Sequence, residues 1–136
     1  MVISMDNALS WFKVAFGVTM GLIVNALGGW DALLEVLVTL TCLDVVTGVL
    51  LAIYMRRLNS GDAWRGMMKK MGTYIIIAMV VSAEKVLMRD SLRAIAISYF
   101  IGAEMVSIIE HWGQFGLPIP EKIKSVLKEL TENNGE

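Results

Sequence analysis

From Ala32 to Met55 the chain runs for 24 residues with only two charged side chains, Glu35 and Asp44. An apolar stretch of about eighteen residues or more is long enough to cross a bilayer. A carboxylate at the centre of such a span costs roughly 2.5–3.5 kcal/mol on insertion scales. Asp44 lies near that centre, and such a group is tolerated where it faces protein or water. The run therefore implies a membrane-spanning helix, one face of which avoids lipid.

Composition supports a membrane setting. The chain of 136 residues is of single-domain length, is 56% hydrophobic and 18% charged, and has a mean hydropathy of +0.62. A soluble domain of this size rarely carries so much apolar surface. The net charge of −1 offers no basic field for nucleic acid. Cys42 is the sole cysteine, which excludes an internal disulfide and a Cys-rich metal cluster, and it reads as a small buried apolar residue. Met1 to Ser10 contains no Lys or Arg, so no cleaved signal peptide is expected. No nucleotide, hydrolase or zinc-protease motif is present, and no histidine accompanies the serines and acids within the spans. Neither an enzyme nor a cofactor is expected. His111 is the only histidine, so no metal site is expected either.

Four apolar segments are expected, at about 11–29, 31–56, 64–86 and 91–112. Trp11 and Trp30 bracket the first, 19 residues or about 28 Å apart at helical rise, which matches the hydrocarbon core with a Trp at each interface. Gly28-Gly29-Trp30-Asp31 leaves room only for a tight turn, so the first two helices are expected to pair as an antiparallel hairpin. The apolar core of the third segment, Met71 to Ala83, is short, and Lys69 and Lys70 are expected to snorkel toward the interface. The fourth is the least hydrophobic. Residues 1–112 thus form a membrane domain. Residues 113–136 form a tail in which Gly113 and Gly116 break the fourth helix and Pro118 and Pro120 prevent immediate re-entry. A short helix follows from near Pro120, with Ile123, Val126, Leu127 and Leu130 on one face, and Thr131 to Glu136 is expected to fray. With four spans and the Arg56–Lys70 loop inside, nine Lys and Arg lie inside and three outside (Lys85, Arg89, Arg93). That asymmetry places both termini in the cytoplasm.

Polar and small residues fall on stripes. Thr41, Asp44, Gly48 and Ala52 share one face of the second segment and Thr47 flanks it, an arrangement suited to close helix approach. Glu35, nine residues from Asp44, points to the opposite side and reads as an interfacial acid. Asp44 itself is either structurally paired or part of an assembly face or wet path. Lys13, Gly17, Gly21 and Asn25 recur at four-residue steps and include a GxxxG, which favours helix packing within or between subunits. Arg93, Phe100, Glu104, Ser107 and His111 line one stripe of the fourth segment. Glu84 is placed to pair with Arg93 across the third turn.

Beyond these physical readings, the chain resembles a phage holin family that includes the clostridial toxin-secretion holins. The resemblance lies in Glu104-x-x-Ser107-x-x-Glu110, then Gly113, Gly116 and the Pro118/Pro120 pair. Upstream it continues in Asp44-x-x-Thr47-Gly48, Ala52, the loop motif Asn59-Ser60, Gly66 and Lys69-Lys70, over roughly Leu33 to Leu130. His111 departs from the Asn often found at its position, and Glu84 stands where the family commonly has Asp. The resemblance implies a protein that oligomerises with itself in the bacterial cytoplasmic membrane and forms lesions releasing an endolysin or a toxin, subject in some systems to an antiholin. The expected architecture is an all-α, multi-pass membrane protein with three or four transmembrane helices, four favoured, and a cytoplasmic amphipathic helix. The assembly or pore-lining candidates are Asp44, Thr47, Gly48, Glu84, Arg93, Glu104, Ser107 and Glu110. The alternatives are a small ion- or proton-coupled transporter or channel subunit, and an antiholin.

Overall fold

The computed structural model describes residues 4–132. Five helices follow one another: α1 Met5–Ala26, α2 Ala32–Tyr54, α3 Ser60–Leu87, α4 Leu92–Gln114 and α5 Glu121–Glu132. No strand occurs among the described residues. By length and composition, α1, α2 and α4 are long and apolar enough to cross a membrane, and α3 is not among them. The ranking of the third and fourth segments is thus reversed. The least apolar segment is α3, because its first turns, Ser60 to Lys70, are helical and polar.

Local chemistry explains the helix ends. Asp31 caps α2, its Oδ1 accepting from Leu34 N at 2.9 Å, and Asn59 caps α3 by accepting from Gly61 N at 2.9 Å. At the end of α1, Gly29 N donates to Val24 O and Gly28 N to Asn25 O, a Schellman closure in which Gly28 adopts φ +89°. The same closure ends α4 through Gly116 at φ +77°. Gly113 is therefore not a break, since α4 runs through it to Gln114. α5 starts at Glu121 and continues to Glu132, so Thr131 is helical. The side chains of Leu127 and Leu130, and the chain beyond residue 132, lie outside the described residues.

α2 and α4 run parallel along their whole lengths. Asp31 meets Arg93 at one end, Thr47 meets His111 further along, and Arg57 meets Gln114 at the other end. α3 runs antiparallel to both, with Tyr74 bonded to Thr41 and Lys70 reaching Asp44 and Glu104. Their apolar core is Leu34, Leu37, Ile77, Val81 and Ile97, closed by Leu27. It fills the half of the bundle nearest the α1–α2 and α3–α4 turns.

The expected hairpin of α1 and α2 does not form. α1 touches α3 in a few places and does not pack along α2, and no α1 residue is buried. The turn between them is instead held by Arg93. Its Nε donates to Leu27 O at 2.6 Å, its Nη2 to Gly29 O at 3.0 Å, and its Nη1 lies 2.5 Å from Asp31 Oδ2. Glu84 reaches Arg93, but through the backbone: its Oε1 accepts from Arg93 N at 2.6 Å and so caps α4 in place of Ser91. The expected Glu84–Arg93 side-chain pair is absent because Asp31 and two carbonyls already occupy the guanidinium. Cys42, expected inside, is exposed, since α2 turns that side away from α3 and α4.

Removing the Arg93 donors leaves two turn carbonyls and Asp31 without them, so Arg93→Gln is expected to lower the unfolding free energy in detergent by about 1–3 kcal/mol. Gly28→Ala should be at least as damaging, because a Cβ there would lie 2.5 Å from Arg93 Nε at a positive φ. Chemical denaturation followed by circular dichroism measures both. The hydrogen bond from Arg93, then that from Leu34 N, holds the Asp31 carboxyl below its ordinary value of 3.8. A depressed folded value gives stability that is complete above the unfolded value and lost as pH falls through the folded one. The stability gap between wild type and Asp31→Asn should therefore be constant above about pH 5 and shrink as pH drops below 3.8.

Candidate functional site

The second half of the bundle is polar. On α3, Lys70, Tyr74, Ile77 and Val81 succeed one another at steps of four, three and four, so one face carries a cation and then the apolar core residues. That face is turned toward α2 and α4. Lys70 Nζ lies 2.5 Å from Asp44 Oδ2 and also donates to Glu104 Oε2. Asp44 and Glu104 are 6% and 5% exposed. One ammonium thus neutralises half of a pair of carboxylates that would otherwise repel each other in a low-dielectric interior.

His111 completes the cluster. Its Nδ1 lies 2.9 Å from Thr47 Oγ1 and 3.5 Å from Asp44 Oδ1. Thr47 in turn donates to Asp44 O at 3.1 Å. The ring rests against Gly48, where an added Cβ would come within 3.2 Å of His111 Cε1. A glycine there lets α4 approach α2 closely. An open cavity of about 510 Å³ begins at the α2–α3 turn, beside Arg57 and Asn59, and ends at Asp44, Glu104 and His111. Ala52, Gly66 and Ser107 line its walls.

The structure divides the sequence candidates. Asp44, Thr47, Gly48, Ser107 and Glu104 come together. Glu110 is exposed, away from the cluster. Glu84 and Arg93 lie at the opposite end of the bundle. Gly17, Gly21 and Asn25 are exposed on α1, with nothing near the Cβ positions of either glycine, so this stripe does not pack within the chain. The expected loop motif is largely helical: Asn59 is the α3 cap, while Ser60, Gly66, Lys69 and Lys70 lie on α3. Lys69 is exposed, but Lys70 does not snorkel. It turns inward because two buried carboxylates offer it more than an interface does.

Sequence reasoning missed Tyr74, and it placed His111 on the Glu104–Ser107 stripe without linking it to Asp44. Tyr74 hydrogen-bonds Thr41 at 2.9 Å, and the four-residue step from Lys70 to Tyr74 was the available signal. His111 lies inside α4 and reaches the acid on α2, contrary to the expectation that no histidine accompanies the span acids. Its place on the Glu104–Ser107 stripe pointed to this.

Three helices of membrane-crossing length, with a charge cluster enclosed between two of them and α3, define a helical membrane protein. The chain belongs to the bacteriophage holin family, whose model matches residues 21–132. It is 31% identical to an uncharacterized 14.9 kDa protein of Clostridium perfringens, covering 91% of this chain and 93% of the relative. It is 26% identical to an uncharacterized protein of Listeria monocytogenes, covering 97% and 93%. A protein of Bacillus phage phi105 named a probable holin is 26% identical, covering 74% of this chain and 76% of that one. No solved structure matches.

Lys70→Met strands two buried carboxylates and should destabilise the bundle by about 3–5 kcal/mol. Replacing all three charged groups, with Asp44→Leu and Glu104→Leu added, should recover most of that loss. Thermal unfolding in detergent, followed by protease sensitivity, distinguishes the two variants.

Proposed function

We propose that this protein is a holin: it accumulates in the bacterial cytoplasmic membrane, self-associates, and opens lesions through which an endolysin leaves the cell. Family membership supports the class of activity, and it is a non-enzymatic one. The observation that carries the mechanism is the enclosure of Asp44, Lys70 and Glu104 within a single chain. In the single chain this cluster is shielded from lipid. Separation of α3 from α2 and α4 would expose it, and a charged face in a bilayer is stable only against water. The assembled state therefore places these faces on an aqueous lesion. In this reading α3 is a fourth span whose interior cation is matched by the two acids. Both termini are cytoplasmic, and α5 is an amphipathic helix at the inner surface.

The bare face of α1, with Gly17, Gly21 and Asn25, is where a second copy packs in this scheme. An antiholin would use the same face to form inactive complexes. A proton- or cation-coupled transporter is the reading favoured by the cavity that reaches Asp44 and Glu104. Protein-filled liposomes separate the two: escape of an enclosed enzyme belongs to a holin, and pH-driven uptake without escape belongs to a transporter.

Asp44→Leu should change the time of lysis in a host that co-expresses a matched endolysin, at equal membrane levels of the two proteins. Unchanged timing would remove Asp44 from the mechanism. Expression with the endolysin also tests the class, because an antiholin alone leaves the cells intact.

A further inference from the structure

The closed end of the cavity has an unbalanced charge and an unmatched atom. Asp44 and Glu104 contribute −1 each and Lys70 +1, leaving −1 while His111 is neutral. Asp44 Oδ1 is the one buried side-chain oxygen or nitrogen without a hydrogen bond among the described residues. Lys70 holds the other oxygen, Oδ2. The polar atom facing Oδ1 is His111 Nδ1, at 3.5 Å.

A metal ion does not suit this place. Hard cations need about six oxygens at 2.3–2.6 Å, and the Lys70 ammonium already stands between the two carboxylates. A proton needs only one base. Thr47 has one hydroxyl hydrogen, which it donates to Asp44 O. With that hydrogen on Asp44 O, the contact of 2.9 Å between Thr47 Oγ1 and His111 Nδ1 is made by a hydrogen on Nδ1, the tautomer this proposal assigns. Nε2 keeps its lone pair, makes no hydrogen bond among the described residues, and belongs to a ring that lines the cavity.

We propose that Asp44 and His111 form a proton-binding site served by the cavity from the α2–α3 turn. A hydronium ion in the cavity passes its proton to the Nε2 lone pair and leaves as water. The imidazole becomes imidazolium, Nδ1–H closes onto Asp44 Oδ1, and the cluster goes from −1 to neutral. The other charged groups nearest the ring around the cavity are Lys70 on α3 and Glu104 on α4, both bound into the Asp44 cluster. Lys69, Asp62 and Arg57 also line the cavity. Lys70 opposes the proton and the carboxylates favour it, with Asp44 the nearest of them. The site belongs to the single chain and does not depend on lesion formation. It links the pH on the α2–α3 side of the membrane to the packing of α2 against α4.

The full chain in lipid nanodiscs, labelled with ¹⁵N-histidine, gives one imidazole to follow by nuclear magnetic resonance. The neutral ring should be the Nδ1–H form, with Nε2 gaining its proton on acidification. Asp44→Asn should move the midpoint to lower pH, weakening proton binding about tenfold. Glu104→Gln, which removes an equal charge without touching the ring, should move it less. A neutral ring protonated on Nε2 overturns the proposal. So does an unchanged midpoint in Asp44→Asn, or a larger shift in Glu104→Gln. If Asp44→Asn does not fold, the proposal still fails on the wrong wild-type tautomer.

Discussion

The bundle is organised around one ammonium between two carboxylates. Lys70 comes from α3, Asp44 from α2 and Glu104 from α4, so a single contact joins the three helices. In a low-dielectric interior two unpaired acids at this separation would drive their helices apart. The antiparallel placement of α3 is what brings the cation to them. Such a cluster is seldom the most stabilising solution, since apolar side chains of similar volume often hold helices as well or better. In the lesion-forming scheme proposed above, the same groups would meet water once α3 separates from α2 and α4.

The opposite end is tied by different chemistry. Arg93 joins the start of α4 to the turn before α2, while Glu84 from the end of α3 caps α4 through its backbone. Between the two polar ties lies the apolar layer of Leu34, Leu37, Ile77, Val81 and Ile97. α1 stands outside this construction. Its apolar surface is almost wholly uncovered, and the family match begins at residue 21, within its last two turns. The closed unit is thus α2, α3 and α4, with α1 presenting an apolar face to whatever surrounds it.

Much of this was legible in one dimension. Apolar length marked α1, α2 and α4 as helices of spanning length. The i, i+3, i+4 arithmetic placed Asp44, Gly48 and Ala52 on one face and sent Glu35 to the other, where it is exposed. The Glu104–Ser107–His111 stripe was visible for the same reason. These readings hold because a helix has a fixed period whatever its neighbours do. Glu110 shows the limit: three residues from Ser107 in the motif, it points out of the bundle.

Partners across helices were decided by tertiary structure. Sequence marked Asp44 as a charge that must face protein or water, but only the antiparallel packing of α3 brought Lys70 to it. Arg93 went to Asp31 and two carbonyls rather than to the Glu84 side chain, because the α1–α2 turn lies against the start of α4. A short connection suggested that α1 and α2 would pair, yet turn length limits only the distance between helix ends and not the angle between helices. The sequence by itself determined helices, their apolar lengths and the face each charge occupies, since those follow from local geometry and solvation. Which charges meet was left to packing, because a contact between residues 26 to 67 positions apart depends on how whole helices are placed.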